Sequence, residues 1–195
     1  MGKPHYANRR RRKPVQPDRS IVLVGMMGVG KTSVGRKLAS RLKMHFVDAD
    51  EEIEKAAGMP ISEIFARFGE DYFRDGERRV IARLIQDRPK VIATGGGAFI
   101  NEETRKLILD SAISIWLNAD LDILVERVSR RSHRPLLIGK DPRQVLTELG
   151  EKRNPLYEMA DIHISSDKAP VAITVGTIVK SLSALSSEKL SKLKA

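Results

Sequence analysis

"SIVLVGMMGVGKTSVGRKLASRL", residues 20–42, decides the fold. A β-branched, apolar run from Ser20 to Val24 meets glycines at 25, 28 and 30 and then Lys31-Thr32. Behind them Val34, Leu38 and Leu42 recur at the spacing of one helix face. Residues 25–32 fit the pattern G-x-x-x-x-G-K-[ST], and they do so between a predicted strand and a predicted helix, the context that gives the pattern its meaning. Glycine lets the backbone wrap until successive N–H groups point at phosphate oxygens, and the following helix turns its positive end toward the same anion. The spacing lets Lys31 reach the β- and γ-phosphates and sets the Thr32 hydroxyl to ligand Mg²⁺. Gly28, Val29, Gly30, Lys31, Thr32 and Ser33 are therefore the candidate site for ATP or GTP. The loop alone does not name the phosphoryl acceptor.

Outward from the loop the chain alternates strand and helix. "HFVD" (45–48), "KVIAT" (90–94), "AISIWL" (112–117) and "DIHISS" (161–166) read as further strands. Helical patterns lie between them, from an acidic start at Glu51-Glu52, around 62–68, 71–86, 103–109, 121–128 and from Asp141-Pro142 onward, with a last helix over about 170–182. Asn101 and Asp141 are candidate N-caps. Five strands separated by helices predict an α/β domain with a mainly parallel sheet covered on both faces. We take residues 20–183 as one domain, 1–19 as a disordered basic arm and 184–195 as a polar tail, a helix or a frayed end.

Composition excludes several classes. The chain has no cysteine, so neither disulfides nor thiolate metal sites arise, and a reducing, cytoplasmic setting fits. No apolar run approaches the roughly 18 residues of a membrane span. The formal charge of +10 suggests nucleic acid until it is divided. Residues 1–19 hold seven Lys and Arg against one acid, so +6 sits in the arm and only +4 in the other 176 residues. The body is mildly basic, as suits an enzyme of anionic substrates. The arm reads as a solvated tail, with contact to a polyanion the alternative.

The remaining chemistry collects after strands, where open parallel sheets place their sites. Asp48 and Asp50, two apart at the end of the second strand, would share a side if the segment stays extended, one for Mg²⁺ and one for an acceptor hydroxyl. An acidic helix cap is the alternative. Arg74 and Glu77 stand three apart on a helical pattern, either a surface ion pair or an arginine held so that its fork takes a substrate carboxylate. Gly95, Gly96 and Gly97 follow the third strand and suggest close approach of backbone to ligand. Arg130, Arg131 and Arg134 crowd a loop that is either solvated or a phosphate-clamping lid. Arg153 precedes Pro155, which would end or kink its helix.

Taken together, "GMMGVGKTSVGRKLA", "VDADEEIE", "ISEIFARFGEDYFRDGE", "ATGGGAF", "HRPLL" and "RNPLYEMAD" resemble the shikimate kinase family in order and spacing over about residues 20–182. The resemblance implies a three-layer P-loop kinase fold, with five parallel strands in the order 2-3-1-4-5 and a mobile lid at about 130–141. It implies transfer of the ATP γ-phosphoryl group to the 3-hydroxyl of shikimate, with Mg²⁺, by a monomer. Asp50 would bind the shikimate hydroxyls nearest the attacking oxygen, and Asp48 with Thr32 would hold Mg²⁺. Arg74 and Arg153 would take the carboxylate, with Glu77 orienting Arg74, and Gly95, Gly96 and Gly97 would line the pocket. Lys31 and Arg134 would attend the transferring phosphate, and Arg127 would pack over adenine. The rivals are a P-loop kinase of another hydroxy acid such as gluconate, and a nucleotide-switched protein that binds nucleic acid through the arm.

Overall fold

The structure is a computed structural model that describes residues 17–130, 139–167 and 169–192. Its centre is a five-stranded parallel sheet: β1 (Ile21–Val24), β2 (His45–Asp48), β3 (Lys90–Ala93), β4 (Ile113–Asn118) and β5 (Ile162–Ser165), ordered β2-β3-β1-β4-β5. The central position of β1 explains its composition. All four of its residues have no solvent exposure, and a strand buried on both faces has no reason to alternate.

The helices are α1 (Lys31–Leu42), α2 (Ala49–Ala57), α3 (Ile61–Gln86), α4 (Glu102–Ser111), α5 (Leu121–Ser129), α6 (Pro142–Tyr157) and α7 (Val171–Lys192). The chain leaves β1 in one direction to reach β2, and afterwards moves back across the sheet to β3, β4 and β5. Parallel crossovers are right-handed, so the reversal puts α1 on one face and the later crossover helices on the other. α7 returns to pack beside α1. Val34, Leu38 and Leu42 are the buried stripe of α1, as their spacing predicts. Gly35 lets that helix lie flat on the sheet, since a β-carbon there would meet the Phe46 ring at 2.6 Å.

The connections leaving the neighbours β1 and β3 run in opposite directions across the sheet, and a crevice forms there at the carboxyl ends of the strands. Thr94 staples its rim: its N–H and its hydroxyl both donate to the Leu23 carbonyl, at 3.2 and 3.0 Å.

Four local features refine the sequence reading. α3 is interrupted at Gly69 (φ 80°, ψ −179°), between the two helical patterns. α2 begins at Ala49, so Asp50 belongs to a helix and not to an extended segment. α6 continues through Pro155 to Tyr157, so the proline does not end it. α7 runs as helix to Lys192. Asn101 and Asp141 cap as expected, accepting from the Thr104 and Arg143 N–H groups at 3.0 Å each.

Candidate active site

The loop after β1 wraps as its glycines allow. Gly25, Gly28 and Gly30 have φ of 133°, 83° and 98°, a region that side chains resist. Gly30 ends the loop as the residue preceding α1, and Lys31 opens the helix. The Lys31 ammonium folds back over the loop, donating to the Gly25 and Met26 carbonyls at 2.7 and 2.9 Å. A cavity of about 520 Å³ opens above, and Gly28 through Ser33 all line it.

Asp48 serves two purposes. One oxygen accepts the Asp50 N–H at 3.2 Å and caps α2; the other accepts the Thr32 hydroxyl at 2.9 Å. The cap and the metal reading of the sequence are thus compatible, because a carboxylate has two oxygens. Among the described residues no group of three or more His, Cys, Asp or Glu is placed to hold a metal ion. A hydroxyl beside one carboxylate fits Mg²⁺, which takes few protein oxygens and keeps water and phosphate oxygens for the rest of its shell.

Asp50 reaches the cavity from the first turn of α2. Burial raises its pKa above the usual carboxylate range, Asp48 beside it pushes the same way, and Lys31 opposes both. The carboxylate lies on Gly95, where a β-carbon would come within 2.8 Å of Oδ1.

Arg74 projects from the part of α3 beyond Gly69. Its Nη1 donates to Glu77 at 2.7 Å, its Nη2 and Nε to Glu70 at 3.0 and 3.2 Å. Glu77 is 1 % exposed, and burial raises its pKa while Arg74 restrains the rise. The guanidinium lies on Gly97, its Nη1 and Cζ at 2.7 and 2.8 Å from where a β-carbon would be. Arg153 reaches the same turn from α6 and donates to the Gly96 carbonyl at 3.3 Å. The three glycines are therefore a floor on which Asp50, Arg153 and Arg74 rest in that order.

Arg127, from α5, bridges the Val29 and Asp167 carbonyls at 3.3 and 2.8 Å, and Ser166 donates to the same Val29 carbonyl at 3.0 Å. These bonds tie the phosphate loop to the segment after β5, where Ala169, Val171 and Thr174 form the far wall of the cavity. Arg130 lines the cavity and pairs with Glu126 at 2.6 Å. Arg134 and Arg131 lie outside the described residues.

Three participants escaped the sequence reading. Tyr157 is fully buried and donates its hydroxyl to the Gly96 carbonyl; burial pushes its pKa up to about 12, against the pull of Arg153. Its spacing of four from Arg153 on one helix was the available signal. Glu70, four before Arg74, carries the same signal. Ser166 sits just past a strand end, where the carboxyl-end rule points.

The family model for shikimate kinase matches residues 27–183. A shikimate kinase of Caulobacter vibrioides is 57% identical over 164 residues, covering 84% of this chain and 82% of that protein. The structure of a shikimate kinase from Acinetobacter baumannii in complex with shikimate is 36% identical, with a TM-score of 0.81 over 90% of this chain and 97% of that one. A gluconokinase from Sinorhizobium meliloti is also similar, at 21% identity and a TM-score of 0.62, over 90% of this chain and 97% of that one; it shares the fold.

Proposed function

The chain belongs to the shikimate kinase family, and on that premise we propose how its site transfers the γ-phosphoryl group of ATP to the 3-hydroxyl of shikimate. The observation that carries the reading is the three-glycine floor. It brings a carboxylate, Asp50, and two guanidinium groups, Arg74 and Arg153, together beside the phosphate loop. A ring with a carboxylate at one end and hydroxyls at the other is complementary to that array.

In this reading Arg74 and Arg153 bind the carboxylate, and the buried Glu77 holds the Arg74 fork through Nη1. Asp50 accepts from the hydroxyl and orients its oxygen toward the γ-phosphorus. Its raised pKa suits a group that must take up a proton as the oxygen attacks. Phosphoryl transfer passes through a loose transition state, so alignment and charge neutralisation supply most of the acceleration. Lys31 offers positive charge at the β- and γ-phosphates, and the N-terminus of α1 with the loop N–H groups offers more. Thr32 and Asp48 would hold Mg²⁺, which would supply neutralisation of phosphate charge there. Arg127 is assigned to the adenine side, supported by its place on the cavity wall. Arg134 keeps the role the resemblance gives it, on the transferring phosphate.

We take the enzyme to be a monomer. No helix among the described residues is long and apolar enough to cross a membrane, and we assign the enzyme to the cytoplasm. The arm over 1–19 takes no part in the chemistry, so its deletion is expected to leave turnover intact. If turnover were lost, a separate role for the arm in the enzyme would follow.

The reading is tested by ³¹P NMR of the product formed from ATP, Mg²⁺ and shikimate. Phosphorus coupled to the ring proton at C3 is expected; inorganic phosphate alone, or coupling to another ring position, would refute it.

A further inference from the structure

Arg74 has three nitrogens, and each already donates to a carboxylate. Nη1 is taken by Glu77, and Nη2 with Nε by a single oxygen of Glu70. The guanidinium carries five N–H groups, but a substrate carboxylate that takes the Nε–Nη2 edge in two-point fashion has to displace Glu70, and one that takes Nη1 has to share it with Glu77. The two are not equally able to yield. Glu77 is 1 % exposed and closed in by the protein, whereas Glu70 is 65 % exposed and can swing into water at little cost. Glu70 also holds the edge, Nε with Nη2, that a planar carboxylate matches best.

The backbone supports this position. Gly69 interrupts α3 with φ 80° and ψ −179°, a conformation essentially confined to glycine, although a β-carbon there would touch nothing within 4 Å. Glycine is thus required for its torsion and not for space. Helix restarts immediately after the break, so Glu70 opens the new segment one turn before Arg74. An acid four residues before a base is the favourable order for such a pair.

We infer that Glu70 is an internal competitor for the substrate carboxylate: it occupies the Nε–Nη2 edge of Arg74, sets the affinity of that edge, and leaves it when the acceptor binds. It is a positioning residue, acting through Arg74. The inference rests on the proposed role of Arg74 as the carboxylate site. Its consequence is selectivity, because a neutral polyol that cannot displace Glu70 leaves Arg74 neutralised.

The test is steady-state kinetics of the wild type, Glu70→Gln and Glu70→Ala with shikimate and with ATP varied in turn. An exposed ion pair of this kind predicts that the KM for shikimate falls by about two- to fivefold in both variants, the gain in kcat/KM appearing through that KM. The KM for ATP is the internal control and is expected to stay within about twofold. A shikimate KM that rises would mean that Glu70 aligns Arg74 rather than competes for it, and an unchanged one would make it a surface pair; either overturns the inference while leaving Arg74 as the carboxylate site. No turnover of shikimate by the wild type would overturn both together. Because Glu70 is exposed, folding of the variants is checked by their melting temperatures, and the alanine variant removes the hydrogen-bonding oxygen that glutamine retains.

Discussion

The Asp50 carboxylate rests on Gly95 with no room for a side chain between them: a β-carbon at 95 would stand 2.8 Å from Oδ1 and 3.5 Å from Oδ2. The backbone of the glycine turn thereby fixes a carboxylate of α2. Gly95→Ala is expected to push Asp50 out of line and lower kcat/KM for shikimate by about 10²-fold. Nucleotide affinity, measured by titration with ATP, should hold. An alanine variant with normal turnover would remove this contact from the account.

Asp50 itself is predicted to trade stability for chemistry. Its folded pKa lies above the unfolded value, so between the two the folded chain binds more protons and stability falls as pH rises. Asp50→Asn removes that cost. The variant should melt higher than the wild type at pH 8, with the difference shrinking toward about pH 3, where the unfolded carboxyl is itself protonated. Its kcat should fall by about 10²-fold or more. Melting curves at the two pH values check the first part, and equal differences at both would contradict it.

Arg74→Lys keeps the charge and loses the fork. Loss of one charge-assisted hydrogen bond predicts a rise of about 10- to 100-fold in the KM for shikimate, with the KM for ATP little changed. Equal loss of affinity for both substrates would show that Arg74 supports the site as a whole.

Tyr157→Phe removes a single hydroxyl from the Gly96 carbonyl, which then depends on Arg153. The expected result is a loss of about 1 kcal/mol in stability and a several-fold rise in the shikimate KM. Trp116, the only tryptophan of the chain, stacks on Tyr157 with ring centroids 6.1 Å apart. Its fluorescence is therefore expected to change on shikimate binding, and to change less in the variant.

Thr32→Val removes the hydroxyl that faces Asp48, whereas Thr32→Ser retains it. The Mg²⁺ concentration for half-maximal rate should rise about tenfold or more in the first variant and stay near wild type in the second. Similar curves for the two would take Thr32 out of the metal site.

Much of this molecule is legible in its sequence because its restraints are local. Val34, Leu38 and Leu42 announce a buried helix face, the glycines at 25, 28 and 30 announce a wrapped loop, and Asn101 and Asp141 announce helix starts. Two-residue spacing misplaced Asp50, because the chain turns helical at Ala49 and its side chain enters the cavity from a helix. Pro155 did not stop α6, since a proline two residues before the last helical residue costs one hydrogen bond that packing of Tyr157 can offset. Pairings over long separations stayed hidden. Nothing in the order of residues joins Tyr157 to Gly96, 61 positions apart, or Arg127 to Val29, 98 apart. These contacts exist because the sheet order sets the loops after β1 and β3 beside α5 and α6, the helices that connect β4 to β5.

We propose that the three-glycine floor with Arg74, Arg153 and Asp50 receives shikimate as phosphoryl acceptor. The most direct test is ADP release from ATP and Mg²⁺ in the presence of shikimate, of gluconate and of neither. A large rise is expected with shikimate alone. No rise with shikimate in a sample that binds ATP, or an equal rise with gluconate, would contradict it.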